Sequence, residues 1–473
     1  MLFSAIPFLY YFLPAFLLLY YTVPRPWRNA VLLLASLLFY AYGEPVYVFL
    51  LIFSSLRDYI IGRIIAKHHG TKKAKAALAF SIVTNLLILG FFKYADFILE
   101  NINVVTGAGI PLLRIPLPLG ISFFTFQTMS YCIDVYRHDI EVEKNPVDFA
   151  MYVSMFPQLV AGPIVRFSTV AKDLKNRKFN FEDFGQGAGR FVIGLGKKVL
   201  IADALGALSA QMLAPVQGTV LSHWIAILAY TMQVYFDFSG YSDMAIGLGR
   251  MIGFHFPENF NYPFISKSVS EFWRRWHISM GVWFRDYIYI PLGGNRVSGA
   301  KWVRNIFIVW FCTGLWHGAS WNFILWGLYF GVLLACEKLF LGKLVKKLPA
   351  VLQHLYTLLI VMVSFVIFFV ETGAMDIFRH LGGMVGLLGQ PLADTESLYY
   401  LRSFAPLMIA AAIGATPIPK MLVEKAKAIK LKNTTIGESI SVVLEPAFIA
   451  CLLLVVTGYL TDATFSPFLY FRF

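Results

Sequence analysis

Two histidines stand where chemistry and membrane meet. His317 lies in CTGLWHGASW, Cys312 to Trp321, between apolar runs on both sides, and His277 lies in EFWRRWHIS beside Trp273 and Trp276. An ionisable side chain at bilayer depth costs about 2.5–3.5 kcal/mol on insertion scales, so it faces a protein or aqueous interior and has a task there. A neutral imidazole with an ordinary pKa of about 6.5 can take a proton from a hydroxyl and return it to a leaving group. Two readings of His317 stay open on residue type alone: a general base, or a side chain that satisfies a broken helix end.

The polar chemistry is densest between Tyr235 and Trp321. YFDFSGYSDMAIGLG places Asp237 and Asp243 six residues apart in an otherwise apolar span. Around His277, Arg274, Arg275, Arg285, Arg296, Lys301 and Arg304 supply a field for an anionic donor. The same Trp and Arg content also suits an interfacial helix anchored by its rings. PLGGNR, which contains Asn295 and Arg296, is a weak phosphate cradle because it lacks the spacing of a P-loop. Gly247 and Gly249 read as a helix-packing pair. No HExxH or clustered Cys/His spacing occurs, so no metal site is expected.

Composition says what must position these groups. The 473 residues are 58% hydrophobic and only 14% charged, against about 25% charged in soluble domains. The expected class is an all-α polytopic membrane protein. Segments near 4–23, 29–43, 45–62, 77–99, 117–136, 186–213, 222–252, 303–317, 320–340, 354–370, 402–416 and 443–460 predict about 11–12 spans, several too short to cross straight. The stretches 148–165 and 259–290 mix aromatics with Pro, Gly and charge and read as re-entrant or interfacial. The first run reads as a retained span rather than a cleaved signal. Cys132, Cys312, Cys336 and Cys451 read as buried apolar residues rather than a disulfide framework.

The net charge of +13 sits in short loops, which points to membrane topology and not to nucleic acid. Arg63, Lys67, Lys72, Lys73 and Lys75 form one basic loop; Arg166, Lys172, Lys175, Arg177 and Lys178 a second; Lys420, Lys425, Lys427, Lys430 and Lys432 a third. Asp96–Pro116 and Glu371–Tyr400 hold one Arg each. The positive-inside rule puts the basic loops in the cytoplasm and both termini outside.

EFWRRWHIS, DYIYIPLGGNR and GLWHGASWNFILWG, in that order, resemble the membrane-bound O-acyltransferase (MBOAT) family, and most of all its bacterial alginate O-acetylation branch. YFDFSGYSDMAIGLG, FPQLVAGPI, FFKYADF and the terminal SPFLYFRF are similar to that branch too. The resemblance implies one domain over 1–473, with core motifs at about 85–340 and peripheral C-terminal helices at about 341–473, built as a helical bundle with re-entrant segments and a central funnel or tunnel.

It further implies that His317 and His277 are catalytic, supported by Asp237, Asp243, Trp316, Arg274, Arg275, Arg296 and Asn295. The implied donor is acetyl-CoA, used as substrate with no bound cofactor, at the inner membrane. The acceptor is an exported polysaccharide such as alginate, reached directly or through an extracytoplasmic acetyltransferase partner. Peptidoglycan, cellulose or D-alanylated teichoic acid are alternatives within that chemistry; a proton-coupled transporter is the alternative from another class.

Overall fold

Proline, glycine and polar breaks divide the apolar sequence into many helices, most of them shorter than a bilayer is thick. The computed structural model describes residues 2–160, 162–177, 179–213, 218–370, 374–428, 430–431, 434–435 and 443–462. The terminal SPFLYFRF, Ala161 of FPQLVAGPI, Lys178, Glu371 and Lys432 lie outside the described residues.

The chain divides into two units, Met1–Phe191 with Met244–Pro257, and Val192–Asp243 with Glu258–Phe473. The first holds α1 (Leu13–Thr22), α2 (Arg28–Gly43), α3 (Tyr47–Lys67), α4 (Lys72–Thr106), α5 (Ile121–Arg137), α6 (Pro146–Ser154), α7 (Phe156–Leu159) and α8 (Phe167–Asn176). It also holds most of α9 (Phe181–Gly196) and the end of α11 (Val220–Met251). α4 starts on Thr71, whose side chain accepts from the Ala74 amide, and stops at Gly107, left-handed at φ 69°. α5 is buried on nearly every face, as its position at the centre of this unit requires.

The expected re-entrant stretch 148–165 is a pair of short buried helices broken at Met155, two residues before Pro157. Its polar groups bond within protein: the Phe156 amide donates to Ser36 Oγ at 3.1 Å, and Gln158 Nε2 to the Tyr152 carbonyl at 2.6 Å. Lipid could supply neither partner. Gly247 meets its expectation, since a Cβ there would lie 2.6 Å from the Gly187 carbonyl oxygen.

The second unit holds the rest of α9, a π-turn at Lys197–Ala202, α10 (Asp203–Leu213) and most of α11. Then come α12 (Val269–Arg275), α13 (Ile278–Phe284), α14 (Gly299–His317), α15 (Trp321–Cys336), α16 (Gly342–Val345), α17 (Ala350–Phe369), α18 (Ala374–Met384), α19 (Thr395–Gly414), α20 (Ile418–Ala428) and α21 (Glu445–Asp462). Lys430–Leu431 pairs antiparallel with Thr434–Thr435. α14 and α15 approach closely: a Cβ on Gly314 would stand 2.4 Å from the Phe323 carbonyl oxygen, and one on Gly327 2.3 Å from that of Trp310.

Among the described residues, five helices are long and apolar enough to cross a membrane: Lys72–Thr106, Trp321–Val345, Ala350–Phe369, Thr395–Gly414 and Glu445–Asp462. Other expected segments are helical but differ in length or polarity. α2 has 16 residues and α5 has 17, under the ~20 of a straight span. α11 has 32 residues but carries Asp237, Asp243 and Arg250. Leu34, Leu38, Phe53, Leu87, Val351 and Leu454 are exposed, the pattern of surfaces that meet lipid.

Candidate active site

His317 is the last residue of α14, whose end is set by Gly318, extended at φ −170°. The residue is 7% exposed. It meets Trp326 of α15 edge to face at 4.8 Å between centroids, and Phe368 of α17 at 5.4 Å. Asn322 at the start of α15 donates to the Phe368 carbonyl at 2.9 Å and so ties α15 to the end of α17. The cage is therefore built by three helices.

His277 stands in the break between α12 and α13. Its backbone is left-handed, φ 45° and ψ 51°, a conformation of order 1–3 kcal/mol above the common regions that persists only where its surroundings hold it. What holds it is Asn259. Asn259 Oδ1 accepts from the Ser279 amide at 3.2 Å and from Ser279 Oγ at 2.8 Å, and it lies 3.2 Å from His277 Nδ1. An atom that accepts from a backbone N–H must be the amide oxygen, so Nδ1 carries the proton. Nε2 then presents its lone pair in the neutral ring. The His277 side chain is fully buried, and Nε2 has no hydrogen-bond partner among the described residues.

The two histidines share one neighbour. The Trp316 indole lies 5.9 Å from the His277 ring and 5.0 Å from the His317 ring. Phe238 of α11 closes the other side of His277, edge to face at 4.7 Å. The structure thus brings His277, Trp316 and His317 together in a buried aromatic setting.

The aspartates sit in lysine pairs. Lys198 Nζ is 2.8 Å from Asp237 and 2.6 Å from Asp203, while Lys197 Nζ is 2.6 Å from Asp243. The hydrogen bond to His277 Nδ1 comes from Asn259 rather than from either aspartate. Gly240 lets the end of α9 and the π-turn reach α11, because a Cβ there would lie 2.7 Å from the Gly194 carbonyl oxygen and 3.2 Å from Lys197 Cβ. Arg274 is exposed, and Arg275 is half-buried, pairing with Glu271 at 3.0 Å. Asn295 and Arg296 are exposed on the PLGGNR turn. The Leu292 and Gly294 carbonyls of that turn accept from Asn305 Nδ2 of α14 at 3.0 and 3.2 Å.

Asn259, Ser279, Lys197, Lys198 and Glu337 are site-building residues that sequence reasoning missed. Glu337 accepts from the Val269 and Ser270 amides at 2.7 and 2.9 Å and holds the first turn of α12. The available signal was a charge match: two lysines inside one apolar segment facing two aspartates inside another.

The family model for membrane-bound O-acyltransferases matches residues 141–375, the stretch that contains both histidines. The chain is 40% identical to the probable alginate O-acetylase AlgI of Azotobacter vinelandii over the whole of both chains. It is 45% identical to that of Pseudomonas aeruginosa over 78% of this chain and 72% of the relative. It is also 35% identical to the peptidoglycan O-acetyltransferase of Helicobacter pylori over 100% of this chain and 98% of the relative. The chain belongs to the MBOAT family. It is an O-acyltransferase, not a carrier, and with its apolar helices a multi-pass membrane protein. As an MBOAT protein it needs an acyl donor and an acceptor at the membrane.

Proposed function

We propose that this protein moves an acetyl group from cytoplasmic acetyl-CoA through the inner membrane to O-acetylate an exported polysaccharide, alginate or a close chemical relative, directly or through an extracytoplasmic acetyltransferase partner. The observation that carries the reading is the shared position of His277 and His317 on the Trp316 indole, with His277 held in one tautomer. The alginate O-acetylases named above support the acceptor class, and peptidoglycan is the acceptor in the Helicobacter relative's name.

In this mechanism His317 is the general base. An acceptor hydroxyl gives its proton to the His317 imidazole as its oxygen attacks the thioester carbonyl. The tetrahedral intermediate collapses, the C–S bond breaks, and the imidazolium protonates the departing thiolate. The products are the O-acetyl ester and free CoA. His277, through its Nε2 lone pair, accepts a hydrogen bond from a neighbouring hydroxyl of the acceptor and so orients the attacking one. Arg274 and Arg296, both exposed, supply charge for the phosphates of CoA. Arg275 adds to that charge from its pair with Glu271, and Asn295 lies beside Arg296 on the same turn.

The test is transfer of labelled acetyl by protein reconstituted in liposomes, with His317→Ala compared to wild type. Loss of a general base lowers the rate on the order of 10²–10⁴-fold while insertion stays near normal. A folded His317→Ala variant that keeps more than about a tenth of the rate contradicts the assignment.

A further inference from the structure

The first unit contains a cleft lined by arginine. Arg28 begins α2, Arg177 ends α8 and Arg250 lies in the last turn of α11. With Tyr20, Tyr21 and Asp183 they border a small cleft that opens to solvent. The tyrosine hydroxyls are committed elsewhere: Tyr20 donates to the Ile252 carbonyl at 2.8 Å, and Tyr21 to that of Met251. Their rings therefore turn their faces to the cations. The Arg28 guanidinium carbon lies 5.4 Å from the Tyr20 centroid and 5.5 Å from that of Tyr21, and Arg177 lies 4.5 Å from the Phe254 ring.

A ring face attracts a guanidinium, but it offers none of the in-plane lone pairs that five N–H donors seek. Among the described residues, Arg28 Nε and Arg177 Nη1 are buried with no hydrogen-bond partner, and Arg28 has no ion pair. Arg177 Nη2 donates to Asn29 Oδ1. Arg250 donates to Gln186 Oε1 at 2.7 Å and stands 3.6 Å from Asp183. Three cations line the cleft with the Asp183 carboxylate, and Asp148 and Asp173 act on Arg177 from beside it. Burial is the largest influence on the Arg177 guanidinium and pushes it below its ordinary value, while Tyr20 and Asp148 oppose the shift. Trp27, Phe179 and Phe181 are 65%, 40% and 82% exposed around this end of the unit, the aromatic flank of a membrane–water interface.

We propose that this cleft binds one phosphate group, carried by an anionic phospholipid or by a soluble phosphate, on Arg28 and Arg177 with Arg250 at its rim. Guanidinium forks match phosphate oxygens two at a time. The proposal uses none of the acyl-transfer residues and does not depend on their roles.

The test uses the full-length protein in phosphatidylcholine nanodiscs doped with phosphatidylglycerol. Native mass spectrometry reads the lipid retained on extraction, and a parallel titration with inorganic phosphate follows tryptophan fluorescence. A lipid source gives phosphatidylglycerol retained at least tenfold over phosphatidylcholine, reduced roughly tenfold in Arg28→Gln. A soluble source gives a saturable response to phosphate that Arg28→Gln abolishes, without lipid enrichment. Arg28→Gln suits the comparison because the contacts of Arg28 are ring faces. Where that variant fails to insert, Arg28→Lys keeps the charge, loses the fork and binds several-fold more weakly. No phosphatidylglycerol enrichment together with no phosphate response, or equal binding in wild type and the Arg28 variants, overturns the proposal.

Discussion

The Nδ1–H of His277 donates to Oδ1 of Asn259 across 3.2 Å. Asn259 lies 18 residues upstream, yet it determines which nitrogen of the ring faces the site. Replacing Asn259 with Ala frees the ring to adopt the other tautomer and leaves the Ser279 amide without this acceptor. A buried hydrogen bond of about 1–3 kcal/mol is then missing. We expect kcat for acetyl transfer to fall roughly tenfold to a hundredfold while KM for the acetyl donor changes little. A normal kcat in the folded variant would show that the clamp is structural.

Lys198 is 2% exposed and bridges Asp203 and Asp237. Lys198→Met strands the Asp237 carboxylate in the interior, and breaking a buried pair from one side costs about 3–5 kcal/mol. The amount of folded, inserted protein should drop sharply. Adding Asp237→Asn removes the stranded charge and should recover part of the loss. A double variant no better than the single one would show that the two residues are not coupled.

Charge asymmetry of the loops predicts their sides. A single cysteine placed at Lys72 or Lys73 should react with an impermeant maleimide only after the cytoplasmic face is opened, whereas one beside Asp394 should react in intact spheroplasts. Labelling in the reverse order would invert the topology and move the donor entrance with it.

Asp394 caps α19. Its carboxylate accepts from the Ser397 amide at 2.7 Å, and Ser397 Oγ accepts in return from the Asp394 amide at 3.1 Å. Hydrogen bonding by Ser397 holds the carboxyl below its ordinary value of 3.8. A depressed acid pKa makes the cap fully effective above the unfolded value, and its contribution fades as pH falls through the folded one. The protection factors of the amides in the first turn of α19 should therefore be constant from neutrality to about pH 5 and fall below pH 3.8. Asp394→Ala should show the low protection at every pH.

Composition and pattern determined the all-α membrane class, the positions of most helices and the irregular character of 148–165 and 259–290, and the motif resemblance singled out the two histidines as a pair. These are local properties: apolar runs, prolines, glycines and motif spacing act within a few turns of the chain. The site's supports were not legible in that way. Asn259 reaches His277 across α12 and is held there by Ser279, Trp326 and Phe368 reach His317 from α15 and α17, and Lys198 meets Asp237 of α11 from the π-turn. Pattern singled out Asp237 and Asp243 as polar residues in an apolar span, but whether they face imidazole or lysine depends on how α11 is rotated against the π-turn after α9. That rotation is set by close packing at Gly240, a contact between segments more than forty residues apart that only the folded chain brings together.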